Sequence, residues 1–471
     1  MPRSVCVHPD HRQTVALALE RNGFLTQGDL AAHLEVALST VSNFCRGVNV
    51  SIAKFEEISD ALGLEPRTLI QSPHQQQATT PDAAPSPAPT FFAYDDGWVG
   101  REAVVTEAAA QLTENCRLLI VTGIAGVGKT ALAERLSLEL PNLGVPLREN
   151  FDVQDHALDF GSFAARSLEK LGQSVTPSDR THVPQLLERL LQTLQTTPKL
   201  IVIDSLEEIL QGNEKEGWSE FQDAGFLTFF QRVLTTETFL SRILITSQEL
   251  PTQLLSFGTR YRNVWSTQLL TGLSPAEQLT LFARTGLDVQ PEAAGHAYLV
   301  RIGQAYEGHP LALRVIAGEI GSRPFFGNVV NYWNRYHSEI EAVEEAIAEA
   351  AAGQMLGAED KWRLDRFTRT LRRNVRQRLE QTFQRLRREV KFAYILLCEA
   401  SVYRCGVPED WWLSHLSYWD CDAAIEQFAL DALRDRFLVE EAIANGQYTL
   451  RQHSLIRSVS LEHLDQLDEL P

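Results

Sequence analysis

The spacing of apolar and polar positions changes character along the chain. Between 11 and 70 apolar residues recur at helical intervals: Val15, Leu17, Ala18 and Leu19, then Leu30, Ala31, Leu34, Val36, Val41 and Phe44, then Phe55, Ile58 and Leu62. This predicts a small helical bundle whose middle pair, over 26–47, crosses at a tight turn as a helix-turn-helix. Residues 71–92 form a linker, and 71–90 are rich in Pro, Gln, Ala and Thr. Short buried-strand patterns at 118–122, 145–151, 199–204 and 242–248 then alternate with helix patterns, one of them over 184–194. From about 270 that alternation stops. Helices are expected at 274–285, 299–306 and 311–320, followed by an acidic helix with the stripe Ile340, Val343, Ile347 and Ala350. A dense arginine run over 363–391 is interleaved with Leu371, Val375, Leu379, Phe383 and Leu386. It is either a solvated face paired with the acidic helix or a surface for nucleic acid or a partner. Helices at 392–398 and 421–435, two short β patterns at 438–441 and 447–450, and a helix at 454–464 follow in the order of a winged helix.

The run 118–122 enters Gly123-x-x-x-x-Gly128-Lys129-Thr130, and a helix pattern follows from Ala131. Strand, glycine loop and helix in this order are what a P-loop requires. Glycines let backbone N–H groups close round a phosphate, and the helix start adds partial positive charge. The backbone positions placed there are Gly123, Gly126, Val127, Gly128 and Ala131. Lys129 is expected to reach the β- and γ-phosphates and Thr130 to hold Mg²⁺. The apolar run 200–203 ends in Asp204, where a parallel sheet presents its ligands, so Asp204 is expected to share that Mg²⁺. Glu207 or Glu208 either orients an attacking water or lies on a solvated helix face. Thr246 and the residues to Gln248 either touch the γ-phosphate or simply end a strand. The turn Val99-Gly100-Arg101-Glu102 either packs its backbone and Val99 against a flat base or is an ordinary turn.

Charge alters the picture at the N-terminus. The 471 residues carry a net charge of −18, which argues against general attraction to nucleic acid or anionic membrane. Any DNA contact has to be local, through the outward residues expected on the second helix of the pair: Ser39, Thr40, Ser42, Asn43 and Arg46. That segment is not basic, and Glu35 holds a turn position often given to Gly. Its partner is therefore either double-stranded DNA or another protein. No apolar run is long enough to span a membrane, the first residues lack the apolar core of a signal peptide, and the six cysteines are scattered. A cytoplasmic protein without disulfides is expected.

Taken together, these motifs resemble the NB-ARC branch of the STAND P-loop ATPases, over about 95–465, and 26–47 resembles the phage-repressor (XRE-like) type of helix-turn-helix. In that resemblance Val99–Glu102 is the adenine-side turn, 123–130 Walker A, 201–204 Walker B and 242–248 the sensor strand. Pro310, in Gly308-His309-Pro310-Leu311, packs near the nucleotide, and His453, in Gln452-His453-Ser454, touches the ADP β-phosphate. Lys129, Asp204 and Glu207 are the candidate catalytic residues, and any hydrolysis is expected to be slow. Ser205 stands where the family has an acid, Gln248 where it often has Arg, and Ser454 where it has Asp. The expected fold class is an α/β P-loop NTPase core with a parallel sheet, an all-α helix-turn-helix domain, a helical domain and a winged-helix domain. The expected boundaries are 1–70, linker 71–92, 93–270, 271–375 and 376–471. The resemblance implies an ATP/ADP switch with Mg²⁺ that self-associates as a homo-oligomer on exchange. Its first domain binds DNA or, as a defence or signalling scaffold, recruits a protein. A fast metabolic ATPase or kinase is disfavoured, because no substrate pocket or clear base is legible.

Overall fold

The computed structural model describes residues 4–8, 11–24, 26–47, 50–70, 98–152, 158–213, 218–254, 260–352, 366–419, 421–444 and 447–467. The expected linker over 71–92 lies outside the described residues. The described residues fall into two compact units. One holds those of 1–99, 273–345 and 374–471, the other those of 100–272 and 346–373.

In the first unit, α1 (Arg12–Arg21), α2 (Gln27–His33), α3 (Leu38–Arg46), α4 (Ile52–Ala61) and α5 (Pro66–Ile70) bury Val15, Leu30, Val41, Phe44, Phe55 and Ile58. Leu34 is half-buried. Thr26 starts α2 through a capping box: its hydroxyl accepts from Asp29 N at 3.1 Å and its own N–H donates to Asp29 at 2.8 Å. Glu35 takes the turn with φ 53°, a conformation that usually falls to Gly or Asn. A short antiparallel pair, β1 (Ser4–Val5) and β2 (Val50–Ser51), ties the ends of the bundle together.

The second unit opens with α6 (Glu102–Thr113). The sequence then forms β3 (Leu118–Thr122), α7 (Lys129–Glu139), β4 (Leu147–Asn150), α8 (Phe160–Lys170), α9 (Val183–Thr196) and β5 (Leu200–Asp204). A hairpin follows, β6 (Leu210–Asn213) and β7 (Trp218–Phe221), then α10 (Ala224–Thr235), β8 (Arg242–Ser247) and β9 (Trp265–Leu269). Five strands pair in parallel in the order β4-β5-β8-β3-β9. Alternate strand residues point to opposite faces. Leu118, Ile120, Ile201 and Ile203 pack with Phe160, Phe163, Leu190, Phe226 and Phe229 of α8, α9 and α10. Leu119, Val121 and Val202 point the other way and are equally buried. Such two-faced burial is why these strands read as unbroken apolar runs. Strand β9 is not in the sequence expectation. Its residues Trp-Ser-Thr-Gln-Leu are only half-buried and mostly polar, as suits an edge strand.

The chain continues with α11 (Pro275–Arg284), α12 (His296–Ala305), α13 (Pro310–Gly321), α14 (Val329–Ala352) and α15 (Arg366–Glu389), which belong to the first unit except for the described residues of 346–373. It ends with α16 (Lys391–Glu399), α17 (Glu409–Leu416), α18 (Ala423–Asp435), the antiparallel hairpin β10 (Glu440–Ala444) and β11 (Gln447–Arg451), and α19 (Ser454–Leu464). Leu379, Phe383 and Leu386 of α15 pack against Tyr394–Cys398, Trp412, Leu430 and Leu433. The first β pattern, expected at 438–441, is displaced: Leu438 and Val439 belong to this core, and the strand starts at Glu440. The arginine run is not a solvated face throughout. Arg378 and Arg385 are buried and share Glu319 of α13 and Glu339 of α14, while Thr382 donates to Glu319 at 2.6 Å. Burial pushes Glu319 up, and the two guanidiniums outweigh it and hold it below the usual carboxylate range.

Candidate nucleotide-phosphate site

Glycine geometry shapes the loop between β3 and α7. Gly123, Gly126 and Gly128 have φ of 157°, 78° and 99°. A Cβ on Gly123 would lie 2.7 Å from the Leu270 carbonyl, and one on Gly128 would lie 2.8 Å from an Arg101 nitrogen. At Gly123 a side chain has no room against the backbone, at Gly128 it would displace the Arg101 guanidinium, and at Gly126 and Gly128 the backbone is left-handed as well. Successive N–H groups in such a loop, leading into a helix N-terminus, make an anion-binding concavity.

Lys129 is the first residue of α7 and is buried. Its ammonium folds back on the loop, donating to the carbonyls of Gly123 at 2.8 Å and Ile124 at 3.1 Å. Burial lowers its pKa, against the pull of Glu207 and Asp204. Arg372, a cation from the arginine run, lowers it further. No spacing signal in the sequence singled out Arg372 among its arginine neighbours.

The Thr130 hydroxyl donates to both oxygens of Asp204, at 3.0 and 3.1 Å. The Thr246 hydroxyl, at the end of β8, also donates to Asp204 and accepts from Ser205 N at 3.1 Å. Asn150, at the end of β4, reaches the same carboxylate at 3.5 Å. The carboxyl ends of neighbouring strands and the first turn of α7 thus converge on one acid, where a parallel sheet places its ligands. Hard oxygen donors of this kind suit Mg²⁺. The residues present fit a Mg²⁺–phosphate group: Lys129 and the loop amides for the phosphates, Thr130 and Asp204 for the cation.

Other expected residues sit differently. Glu207 accepts a hydrogen bond from Gln248 N at 3.1 Å, so it braces the end of β8. Glu208 is exposed. Ser205 adopts φ 64°, which turns the chain sharply after Asp204. Arg101 takes φ 64° in its turn. Its guanidinium donates to the Val127 carbonyl at 2.7 Å and the Thr271 carbonyl at 3.0 Å, and so buttresses the loop from behind. Gly100 is also left-handed, and Ala131 lies in the first turn of α7.

Val99, Pro310 and His453 belong to the other compact unit. Val99 is buried. Pro310 opens α13, capped by His309, whose Nδ1 accepts from Ala312 N at 3.3 Å. His453 caps α19 in the same way, accepting from Leu455 N at 3.1 Å. On α3, Ser39, Thr40 and Ser42 are 2 %, 7 % and 3 % exposed, so the outward orientation expected of them is not found. Asn43 and Arg46 are half-buried. Residues elsewhere in the unit cover these side chains. Sequence periodicity separates the polar from the apolar side of a helix and carries no information on what packs against the polar side.

Sheet, loop and carboxylate define a parallel-sheet α/β P-loop nucleotide-binding core. Residues 112–254 match the protein family described as AAA domain. An uncharacterized WD repeat-containing protein of Nostoc sp. is 30 % identical over 231 residues, 46 % of this chain. The chain spans 17 % of that relative's length. Among solved structures, Cdc6p from Pyrobaculum aerophilum is 12 % identical with a TM-score of 0.31, over 79 % of this chain and 98 % of its own. The Aeropyrum pernix ORC1 protein in complex with DNA is 15 % identical with a TM-score of 0.30, over 80 % and 96 %. The replication initiator DnaA bound to AMPPCP and single-stranded DNA is 14 % identical with a TM-score of 0.32, over 79 % and 95 %. Likenesses of that size carry no functional inference. Among the described residues no helix is long and apolar enough to cross a membrane.

Proposed function

We propose that the chain is an adenine-nucleotide switch of the NB-ARC/STAND kind. The carrying observation is the Asp204 cluster: one buried carboxylate, two threonine hydroxyls and the Lys129 ammonium at the mouth of a left-handed glycine loop. Gly123, Gly126, Val127, Gly128 and Ala131 would offer N–H groups to the phosphates of ATP or ADP, Lys129 would neutralise them, and Thr130 and Asp204 would hold Mg²⁺. Mg²⁺ supplies charge neutralisation to the phosphate chain. Hydrolysis serves as a slow timer at most, since Glu207 is tied to the backbone of Gln248. The resemblance adds Pro310 and His453 as ADP contacts. ADP would favour a resting form and ATP a self-associating one, through their different affinities for the two. The α2–α3 pair is read as a DNA-binding helix-turn-helix, with 376–471 as a winged-helix domain. Several copies on one assembly would strengthen weak contacts with double-stranded DNA. A second reading has one observation in its favour: α3 already meets protein, which suits a scaffold that recruits a protein partner. In the Nostoc relative, as its name says, WD repeats are present.

The test is the nucleotide carried by the purified protein and its mass before and after exchange to ATP. Bound ADP, and growth in mass with ATP that Lys129→Ala abolishes, is the expected result. A protein that carries no nucleotide and ignores both would end the switch reading.

A further inference from the structure

Helix α3 is seated face down. The Ser39 hydroxyl donates to the Asp435 carboxylate at 3.0 Å and the Thr40 hydroxyl donates to the same oxygen. Ser51, just before α4, donates to Asp431 at 3.2 Å. Arg46 donates to the Arg284 carbonyl, and Arg323 donates to the Glu35 carboxylate at 2.8 Å. Glycines make room for the first turn of α3. A Cβ on Gly286 would lie 3.1 Å from Leu38 Cγ and 3.2 Å from Ser42 Cβ, and one on Gly327 would lie 2.8 Å from Leu38 Cδ2.

The acceptor is unusual for a structural contact. Asp435 is the last residue of α18, where the helix dipole disfavours a negative charge, and Asp431 stands one turn before it. The flanking arginines make their hydrogen-bonded pairs with acids other than Asp435: Arg434 with Glu409 at 2.6 Å, Glu441 at 2.8 Å and Asp431 at 3.4 Å, Arg436 with Glu389 at 3.2 Å. The hydroxyls of α3 are hydrogen-bond donors to a half-buried carboxylate. Serine and threonine hydroxyls are also what such helices give to phosphate oxygens. A carboxylate offers them the same acceptor chemistry.

We propose that the Asp435 end of α18 is an internal competitor for the α3 face, holding it where a DNA backbone would lie, so that DNA binds only when α3 leaves this seat. The inference rests on reading α2–α3 as a DNA-binding pair. Two neutral hydroxyls offset the charge of a half-buried carboxylate only in part, which leaves the seat weakly held and releasable. The glycine clearances make it specific to Leu38 and its neighbours.

Full-length wild type, Asp435→Ala and the double variant Ser39→Ala/Thr40→Ala are compared by hydrogen–deuterium exchange. Asp435→Ala and wild type are also compared for retention of a random-sequence DNA duplex at low salt. Exchange over 38–46 is expected to rise about tenfold in both variants while 393–398, in the buried core, stays protected. Asp435→Ala should also retain duplex about tenfold better than wild type. The double variant acts from the α3 side, so unfolding of one variant does not remove the test. Unchanged protection over 38–46 in both would overturn the inference. Raised exchange without any gain in duplex retention would leave the seat standing and overturn the DNA reading, in favour of a protein partner.

Discussion

Two aspartates in this chain, Asp204 buried and Asp435 half-buried, do superficially the same thing. Asp204 accepts from the hydroxyls of Thr130 and Thr246, and Asp435 from those of Ser39 and Thr40. What surrounds them differs. Asp204 ends a parallel strand, faces a glycine loop, and lies close enough to Lys129 to oppose the burial that lowers the ammonium's pKa. Asp435 ends a helix, and burial pushes its pKa up to about 6. A carboxylate beside a cation and an anion cradle is equipped for exchangeable ligands. One that burial drives toward its neutral form, against hydroxyls of a separate helix, is equipped to let go.

Substitution at the two acids should separate these roles most sharply. Asp204→Asn removes the charge that would hold Mg²⁺, and Mg²⁺-dependent nucleotide affinity is expected to fall about 100-fold by calorimetric titration. Asp435→Asn should leave that affinity within about twofold, because it touches only the α3 seat. Equal loss of nucleotide in the two variants would mean that the two acids do not have separate roles.

Acid tests the difference next. Asp435 docked has a pKa of about 6, against 3.8 for the ordinary group, so the docked form binds more protons between those values. Docking is therefore stabilised as pH falls and loosened as it rises. The charges that face the carboxylate are Asp431, which pushes the same way as burial, and Arg436, which opposes it. Going from pH 7 to pH 5 should favour the seated α3 about tenfold. Exchange over 38–46, corrected for the intrinsic pH dependence of amide exchange, should slow accordingly. Asp435→Asn should abolish that dependence.

The first of these sites was legible from the sequence and the second was not. Gly123 to Thr130 is contiguous, and Asp204 follows an apolar run whose two-sided burial is written in its composition. Local pattern therefore gave the loop, the acid and the strand that presents Thr246. The edge strand β9 escaped because Ser266, Thr267 and Gln268 bear no apolar run. The burial of Ser39 escaped for a different reason: its partner lies 396 positions away, and hydroxyls suit solvent, DNA and a carboxylate alike. The same limit hid Glu319, a lone acid in an apolar helix whose arginines arrive from another helix.

The smallest effect concerns glycine, which both sites use for opposite reasons. At Gly128, φ is 99° and a Cβ would meet Arg101 at 2.8 Å, so Gly128→Ala strains the loop and displaces its buttress. Gly321 has no such constraint. It ends α13 within the helix, and a Cβ there would lie 3.6 Å from Leu38 Cβ and 3.8 Å from Ser39 N, at ordinary van der Waals contact. Alanine removes the backbone entropy that a helical glycine loses on folding, roughly 0.5–1 kcal/mol, and adds a methyl against the first turn of α3. Gly321→Ala should therefore raise the melting temperature by roughly 1–2 °C and slow exchange over 38–46 slightly. Faster exchange there would mean that the seat is already closed too tightly for one methyl, and that the clearance at Leu38 decides when α3 is released.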